Sequence, residues 1–248
     1  MSFSLIVAAA GQGTRMGSRV PKPLIPIAGG VLIEKSTASL SKICSEAVIV
    51  VQRTAQQQFE DTFSQLNGLS VRYTYQETQR GTADAVHRGL RKAQNDWSIV
   101  VWADQGGAFF ADSELLRAAS QDPDIDLVVP VVWKDDPYAY FALGSKMEIT
   151  EFCETRRGSP HVSQGWSDCG VFVMRTRRVR DMLTDLLNED IADQNLLSLF
   201  PRLSGHGVGV KTLRLTDKRL TLGANTPEEV ARVELEIIGE VGGTDGGR

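Results

Sequence analysis

The feature that most constrains the fold is a rhythm. Short β-branched apolar runs, Leu5–Ala10, Ala47–Val51, Val71–Tyr75, Ser98–Trp102 and Asp126–Val132, alternate with amphipathic stretches through the first half of the chain. The stretches between them, Leu32–Ile43, Ala55–Leu66, Thr82–Gln94 and Ser113–Ser120, read as helices, and in the third Ala83, Val86, Leu90 and Ala93 share one face. Strands that are apolar throughout need cover on both sides, and parallel neighbours need crossover connections. The sequence therefore predicts an α/β fold: a Rossmann-like, mostly parallel sheet of about seven strands flanked by helices, with the ligand cleft along the carboxyl ends of the strands.

Beyond residue 133 the rhythm loosens into Lys134–Tyr140, Lys146–Cys153, Gly170–Met174, a helix around Arg177–Asn188 and a last strand near Val208–Leu215. This half is expected to add a few antiparallel strands and one wall of the cleft. Thr226-Pro227-Glu228-Glu229 signals a helix start, with Thr as N-cap, Pro at the first helical position and Glu229 closing a capping box for Glu228–Ile238. No repeat or low-complexity linker divides the chain, so one domain is expected over residues 1–240, with a glycine-rich, disordered tail over 241–248.

Composition narrows the function classes. Against 27 Lys plus Arg stand 31 Asp plus Glu, a net charge of −4, which argues against a phosphate-backbone binder and so against a nucleic-acid partner. Cys44, Cys153 and Cys169 are an odd set without C-x-x-C spacing, so neither a disulfide framework nor a cysteine zinc site is expected. The apolar start has no basic flank and falls far short of the ~20 residues that span a bilayer, so no membrane partner and a cytoplasmic location are expected. His87, His161 and His206 show no ligand spacing.

The chemistry concentrates after the first strand, in Ala8-Ala9-Ala10-Gly11-Gln12-Gly13-Thr14-Arg15-Met16-Gly17 and then Pro21-Lys22-Pro23-Leu24. Glycines at a strand end let backbone N–H groups wrap a phosphate chain, and Arg15 and Lys22 supply positive charge. A tight turn carrying two exposed cations is the plain alternative. The P-loop spacing is absent. A dinucleotide fingerprint survives only as Gly11, Gly13 and Gly17. It fails on context, because Glu34 lies inside a helical pattern and Pro21 and Pro23 would break the helix that should follow the glycines. Trp102-Ala103-Asp104 follows a central apolar run, which puts Asp104 at a carboxyl strand end, where it either meets a ligand or caps the next turn.

Ala9 to Met16, Pro21 to Leu24 and Ile27 to Gly29 match nearly letter for letter the opening signature of the sugar-phosphate nucleotidyltransferases. The chain resembles most the uridylyltransferase domain of the N-acetylglucosamine-1-phosphate uridylyltransferases, and shares its Ala-Ala-Gly opening with the isoprenoid-pathway cytidylyltransferases. The resemblance implies nucleotide contacts at Ala9, Gly11, Gly13 and Thr14, with Arg15 and Lys22 as the catalytic cations. Gln76 and the Gly81-Thr82 segment would read a pyrimidine, a task suited to an amide that offers both a donor and an acceptor. It further implies Mg²⁺ on Asp104 and Asn225, sugar hydroxyls on Glu154, the acceptor phosphate on Arg156, and Asp168 where the family has asparagine.

The resemblance implies transfer of a nucleotidyl group from a pyrimidine nucleoside triphosphate, UTP favoured and CTP next, to a small phosphorylated acceptor, with release of pyrophosphate. The competing reading is a non-catalytic regulatory paralogue that binds a nucleotide sugar. With 248 residues there is no room for the hexapeptide-repeat domain of bifunctional relatives, so acetyl transfer is not expected. A homo-oligomer is neither indicated nor excluded. Two departures fall where the resemblance places the acceptor. The family's Gly-Tyr-Gly-Arg is here Ala139-Tyr140-Phe141-Ala142, and Gly106-Gly107 replaces Pro-Leu after Asp104. Rings at Tyr140 and Phe141 would fill acceptor space, and Asp168 would add negative charge, so a compact or hydroxylated acceptor is expected in place of an N-acetylhexosamine phosphate.

Overall fold

The computed structural model describes residues 2–11, 20–189 and 194–244. In chain order the strands are β1 (Phe3–Ala8), β2 (Pro26–Ile27), β3 (Gly30–Val31), β4 (Cys44–Gln52), β5 (Gln65–Leu66), β6 (Leu69–Gln76), β7 (Trp97–Trp102), β8 (Leu127–Asp135), β9 (Ala139–Leu143), β10 (Ile149–Glu154), β11 (Gln164–Asp168), β12 (Val171–Arg175) and β13 (Val210–Leu215). The helices are α1 (Leu32–Ser41), α2 (Gln56–Thr62), α3 (Thr82–Lys92), α4 (Ser113–Ala119), α5 (Thr176–Asn188), α6 (Leu196–Gly205) and α7 (Pro227–Thr244).

Among the described residues, eleven strands form the main sheet, in the order β10-β9-β11-β8-β12-β7-β1-β4-β6-β5, with β13 beside β8. The parallel core expected from the apolar runs is β6-β4-β1-β7. The second half adds antiparallel strands, β12 joining β7 to β8, and β11, β9 and β10 continuing outward. The expected count of about seven is exceeded; β11, which reads Gln-Gly-Trp-Ser-Asp, and the short β5 carry no apolar run and are strands the sequence does not suggest.

Alternation along β1 explains the layers. Leu5 and Val7 face one side and pack with Leu40, Phe59 and Leu116 of α1, α2 and α4, whereas Ile6 faces the other with Leu90, Leu183 and Phe200 of α3, α5 and α6. On that second side α3 approaches closely: a Cβ at Gly89 would lie 2.4 Å from Ile6 Cγ2. A third cluster, Ile27, Leu32, Ala224, Val233 and Ile237, clamps α7 over the β2–β3 hairpin. Because α7 continues to Thr244, residues 241–244 are helical and do not belong to a disordered tail; residues 245–248 lie outside the described set. Among the described residues, no helix is long and apolar enough to cross a membrane.

The strand order creates the site. From β1 the chain crosses to β4 and β6 on one side, then returns through α3 to β7 on the other side of β1. A crevice opens between carboxyl ends at such a switch point, and β1 and β7 end side by side, with Ala8 paired to Trp102.

Candidate functional site

A cleft of about 680 Å³ occupies this position. Ala9 and Gly11 line it from the end of β1, Asp104 from the end of β7, and Gln76, Gly81 and Thr82 from the β6–α3 turn. Gly13, Thr14 and Arg15 lie outside the described residues. Lys22 sits in a 3₁₀ turn, Lys22–Leu24, between Pro21 and the buried Pro23.

The two residues assigned to metal are far apart in sequence and meet here. Lys22 Nζ donates to Asp104 Oδ2 and to Asn225 Oδ1, each at 2.7 Å, and its side chain is only 9% exposed. A hard divalent cation favours such oxygen donors, and both oxygens converge on one point, so the pair fits Mg²⁺. Asn225 arrives there because a strap of residues 218–225 is fastened to the loop after β7. The Ala224 N–H donates to the Asp104 carbonyl at 2.9 Å, Gly107 N–H to the Leu222 carbonyl at 2.8 Å, and Gln105 Nε2 to the Leu220 carbonyl at 2.8 Å.

Glu229 holds the last link. Its backbone N–H donates to Thr226 Oγ1 at 3.2 Å, as the capping signal requires, but its carboxylate accepts the N–H of Asn225 at 2.6 Å in place of that of the N-cap residue. The sequence motif contained Glu229 without revealing that it grips Asn225.

Gln76 is buried, and its amide nitrogen donates to the Gly81 carbonyl at 3.1 Å and to Asp84 Oδ2 at 2.7 Å. Both amide hydrogens are thereby used, which leaves the amide oxygen as the hydrogen-bonding group these two contacts do not occupy. Asp84, two residues after Thr82 and not among the residues the sequence points to, is fixed in turn by Arg88 at 2.7 Å. Gly81 adopts φ +97° and a Cβ there would lie 2.5 Å from the Gln194 carbonyl oxygen, so glycine is demanded twice over. The Thr82 hydroxyl accepts the Leu196 N–H at 2.8 Å, tying this turn to the start of α6, an element the sequence did not suggest.

The acceptor-side assignments separate. Glu154 lines the cleft and pairs with Arg157 at 3.0 Å, and Arg157 lines it too. Arg156 does not line the cleft; its guanidinium stacks on the Tyr138 ring, 4.7 Å from the centroid. Asp168 lies in the cleft and accepts the Gly170 N–H at 2.8 Å; burial pushes its carboxyl above the usual range. Tyr138 reaches the cleft beside Lys134, and burial, with Asp168 and Asp104 nearby, pushes its phenol up to about 12.

The two expected departures are corrected. Phe141 is core, packed against Phe152 and Phe200, and the Tyr140 hydroxyl donates to the Pro160 carbonyl at 3.0 Å; neither ring lines the cleft. The aromatic wall is Trp102, Tyr138 and Phe152 instead. Gly106 and Gly107 belong to packing: Cβ atoms there would lie 2.5 Å from Val233 Cγ1 and 2.2 Å from the Arg219 carbonyl oxygen. Glu34, weighed as a ribose acid, accepts the Val31 N–H at 3.1 Å at the start of α1. The cysteines carry no disulfide; burial pushes the Cys44 thiol up to about 12 and that of Cys169 well above its ordinary value.

A parallel core with its cleft at the switch point, extended by antiparallel strands that wall it, is the architecture of the nucleotide-diphospho-sugar transferase fold. Within that fold, residues 5–199 match the family described as the MobA-like NTP transferase domain, and the chain belongs to that family. Among curated relatives, the bifunctional protein GlmU of Paracoccus denitrificans is 29% identical over 236 residues, covering 93% of this chain and 52% of its own, and that of Mycobacterium marinum is 24% identical over 247 residues, covering 94% and 50%. The chain thus spans about half the length of these relatives. Among solved structures, HddC from Yersinia pseudotuberculosis superposes with a TM-score of 0.71 at 15% identity, over 95% of this chain and 99% of that one. The 4-diphosphocytidyl-2C-methyl-D-erythritol synthase from Anaerococcus prevotii gives 0.65 at 16%, over 95% and 98%. HddC has also been solved with GMP-PN.

Proposed function

We propose that this chain transfers a nucleotidyl group from a pyrimidine nucleoside triphosphate, UTP first and CTP next, to a small phosphorylated acceptor, releasing pyrophosphate. The observation that carries the reading is the meeting of Lys22, Asp104 and Asn225 beside Gly11 at the switch point. An acceptor phosphate oxygen is anionic near neutral pH and attacks the α-phosphorus without a general base, while the bond from that phosphorus to the β-phosphate oxygen breaks and pyrophosphate leaves. The protein's task is alignment and charge neutralisation. Asp104 and Asn225 would hold Mg²⁺, which, when bound, neutralises phosphate charge. Lys22 and Arg15 place positive charge against the triphosphate. Gln76 and the backbone of Gly81 meet the base, and Glu154, Arg157 and Asp168 face the acceptor.

The carboxylates of Asp168 and Glu154 suit hydroxyl or amine donors on the acceptor, and Lys134 and Arg157 in the same wall suit its phosphate. The test is pyrophosphate release from each of the four nucleoside triphosphates, with a library of sugar, cyclitol and other small organic phosphates. Preference for UTP or CTP supports the reading, and preference for GTP or ATP overturns the donor assignment. Lys22→Ala is expected to slow turnover by roughly 10²–10³, the scale of a single electrostatic donor; near-normal turnover would remove Lys22 from the mechanism. Tight nucleotide binding with no pyrophosphate release for any acceptor would favour the regulatory paralogue.

A further inference from the structure

Lys22 does more in this structure than wait beside a phosphate site. Its ammonium makes 2.7 Å contacts with Asp104 Oδ2 and with Asn225 Oδ1, the oxygens that fit a divalent cation. An ammonium is donor-only and has no other way to engage two acceptor oxygens than to sit between them. Asp104 is 43% exposed and so open to solvent ions, but Lys22, at 9%, is enclosed in the contact. A divalent ion bound at the same two oxygens would stand within a few ångströms of that ammonium, and two cations so close in a partly buried cleft repel strongly.

We infer that Lys22 is the resident counter-cation of the Asp104–Asn225 pair, so that the free protein has little affinity for a divalent ion there and the seat opens only when a triphosphate draws the ammonium away. This rests on the reading of the cleft as a triphosphate site. The exchange needs movement of one side chain. Pro21 and Pro23 hold the backbone on either side of Lys22, and Pro23 is buried, whereas the four-carbon stem carries the ammonium on rotatable bonds. Asp104 and Asn225 stay where they are, because the Ala224 N–H to Asp104 carbonyl bond and the Glu229 carboxylate on the Asn225 N–H fix the backbone at both. The consequence is an order of events: Lys22 leaves for the phosphates first, and the two oxygens become available second, so metal enters with the nucleotide.

The experiment is a Mn²⁺ titration of the full chain without nucleotide, followed by electron paramagnetic resonance of the free ion. Lys22→Gln, which removes the ammonium, is expected to bind Mn²⁺ roughly tenfold or more tighter than the wild type, as removal of an adjacent like charge implies. Lys22→Arg, which keeps a cation, is expected to stay near the wild type, and Asp104→Asn added to Lys22→Gln is expected to erase the gain. Asp104→Asn in the Lys22-bearing chain is expected to change Mn²⁺ affinity far less than the same substitution does beside Lys22→Gln, because the ammonium already holds Oδ2 there. Equal affinity of wild type and Lys22→Gln, or a loss on Asp104→Asn alone as large as that beside Lys22→Gln, would overturn the inference. If Lys22→Gln fails to fold by circular dichroism, Lys22→Met, which also removes the ammonium and keeps the length of the stem, carries the same comparison with the same expected gain and the same refuting result. A wild type that releases no pyrophosphate would defeat the transfer reaction but would leave these affinities to support or refute the Lys22 assignment independently.

Discussion

Gly107→Ala is the perturbation that best separates packing from chemistry in this cleft. A Cβ at Gly107 would lie 2.2 Å from the Arg219 carbonyl oxygen and 2.7 Å from that of Leu220, whereas real Cβ atoms essentially never come within 3.0 Å of a neighbour. The obstacle is backbone and cannot rotate aside, so the strap must retreat by most of an ångström. Overpacking of this kind costs about 1–3 kcal/mol, and straining the Gly107 N–H bond to the Leu222 carbonyl adds about 1 kcal/mol. The expected destabilisation of about 2–4 kcal/mol corresponds to a fall in Tm of roughly 5–15 °C for a chain of this size. Activity should fall further than stability alone explains, because the same strap delivers Asn225 to Lys22 and Asp104; misplacement on this scale costs on the order of 10² in kcat/KM. Gly106→Ala is the control. Its Cβ would meet the methyls of Val233, buried on α7 and apart from the 218–225 strap, so it should lower Tm with less effect on kcat/KM. Differential scanning fluorimetry and pyrophosphate release measure both quantities. A Gly107→Ala protein with unchanged Tm and activity, or one less impaired in catalysis than Gly106→Ala, would refute the assignment of the strap.

Three further outcomes are expected. Gln76→Glu sets a carboxylate against Asp84, now bonded to the amide at 2.7 Å, and should cost about 1–3 kcal/mol in denaturant melts while raising KM for the nucleotide; unchanged stability would show that the Gln76–Asp84 contact is dispensable. Burial raises the folded-state pKa of Asp168 above its unfolded value, so the stability tied to its protonated form is full below the unfolded pKa and is lost as pH rises through the folded one. Asp168→Asn should therefore flatten the decline of Tm with rising pH and raise Tm at neutrality, and parallel Tm profiles for the two proteins would contradict this. Tyr138→Ala should change the ranking of acceptors by kcat/KM, whereas Tyr140→Ala should not, since the Tyr140 hydroxyl is committed to Pro160 outside the cleft; the opposite pattern would restore the sequence-based expectation for Tyr140.

The sequence made legible what depends on local pattern. Apolar runs named the parallel strands, and Gly11 after β1 and Asp104 after β7 fell at the switch point because strand ends are readable from where an apolar run stops. What it concealed depends on position along a strand and on partners distant in the chain. The cleft meets β9 only at its start, where Tyr138 and Ala139 line it, whereas Phe141, two residues on from Ala139, lies in the core, and the sequence could place aromatic residues near the cleft without telling where along the strand the cavity ends. Arg156 and Arg157 lie in a 3₁₀ turn, where neighbouring side chains diverge by about 120°. One stacks on Tyr138 and the other enters the cleft. The role of Gly106 and Gly107 was hidden for another reason: the atoms that forbid a side chain there belong to residues more than a hundred positions later.

The two halves of the cleft are built differently, and this bears on how such a site can change its acceptor. On the side proposed for the nucleotide, backbone groups do the fastening: the carbonyls of Asp104, Leu220 and Leu222 each accept a bond across the loop–strap contact, and Gly81, Thr82 and Gln194 are locked at the start of α3. Substitution there disturbs bonds that position Asp104, Asn225 and Gln76 together. On the side proposed for the acceptor, Lys134, Tyr138, Glu154, Arg157 and Asp168 are contributed by antiparallel strands and the turns that end them, and line the cleft with side chains. The Glu154–Arg157 pair is half open to solvent, where an ion pair contributes little to stability, so altering it costs the fold little. A cleft assembled in this way can exchange acceptor contacts one residue at a time while the nucleotide half stays in register.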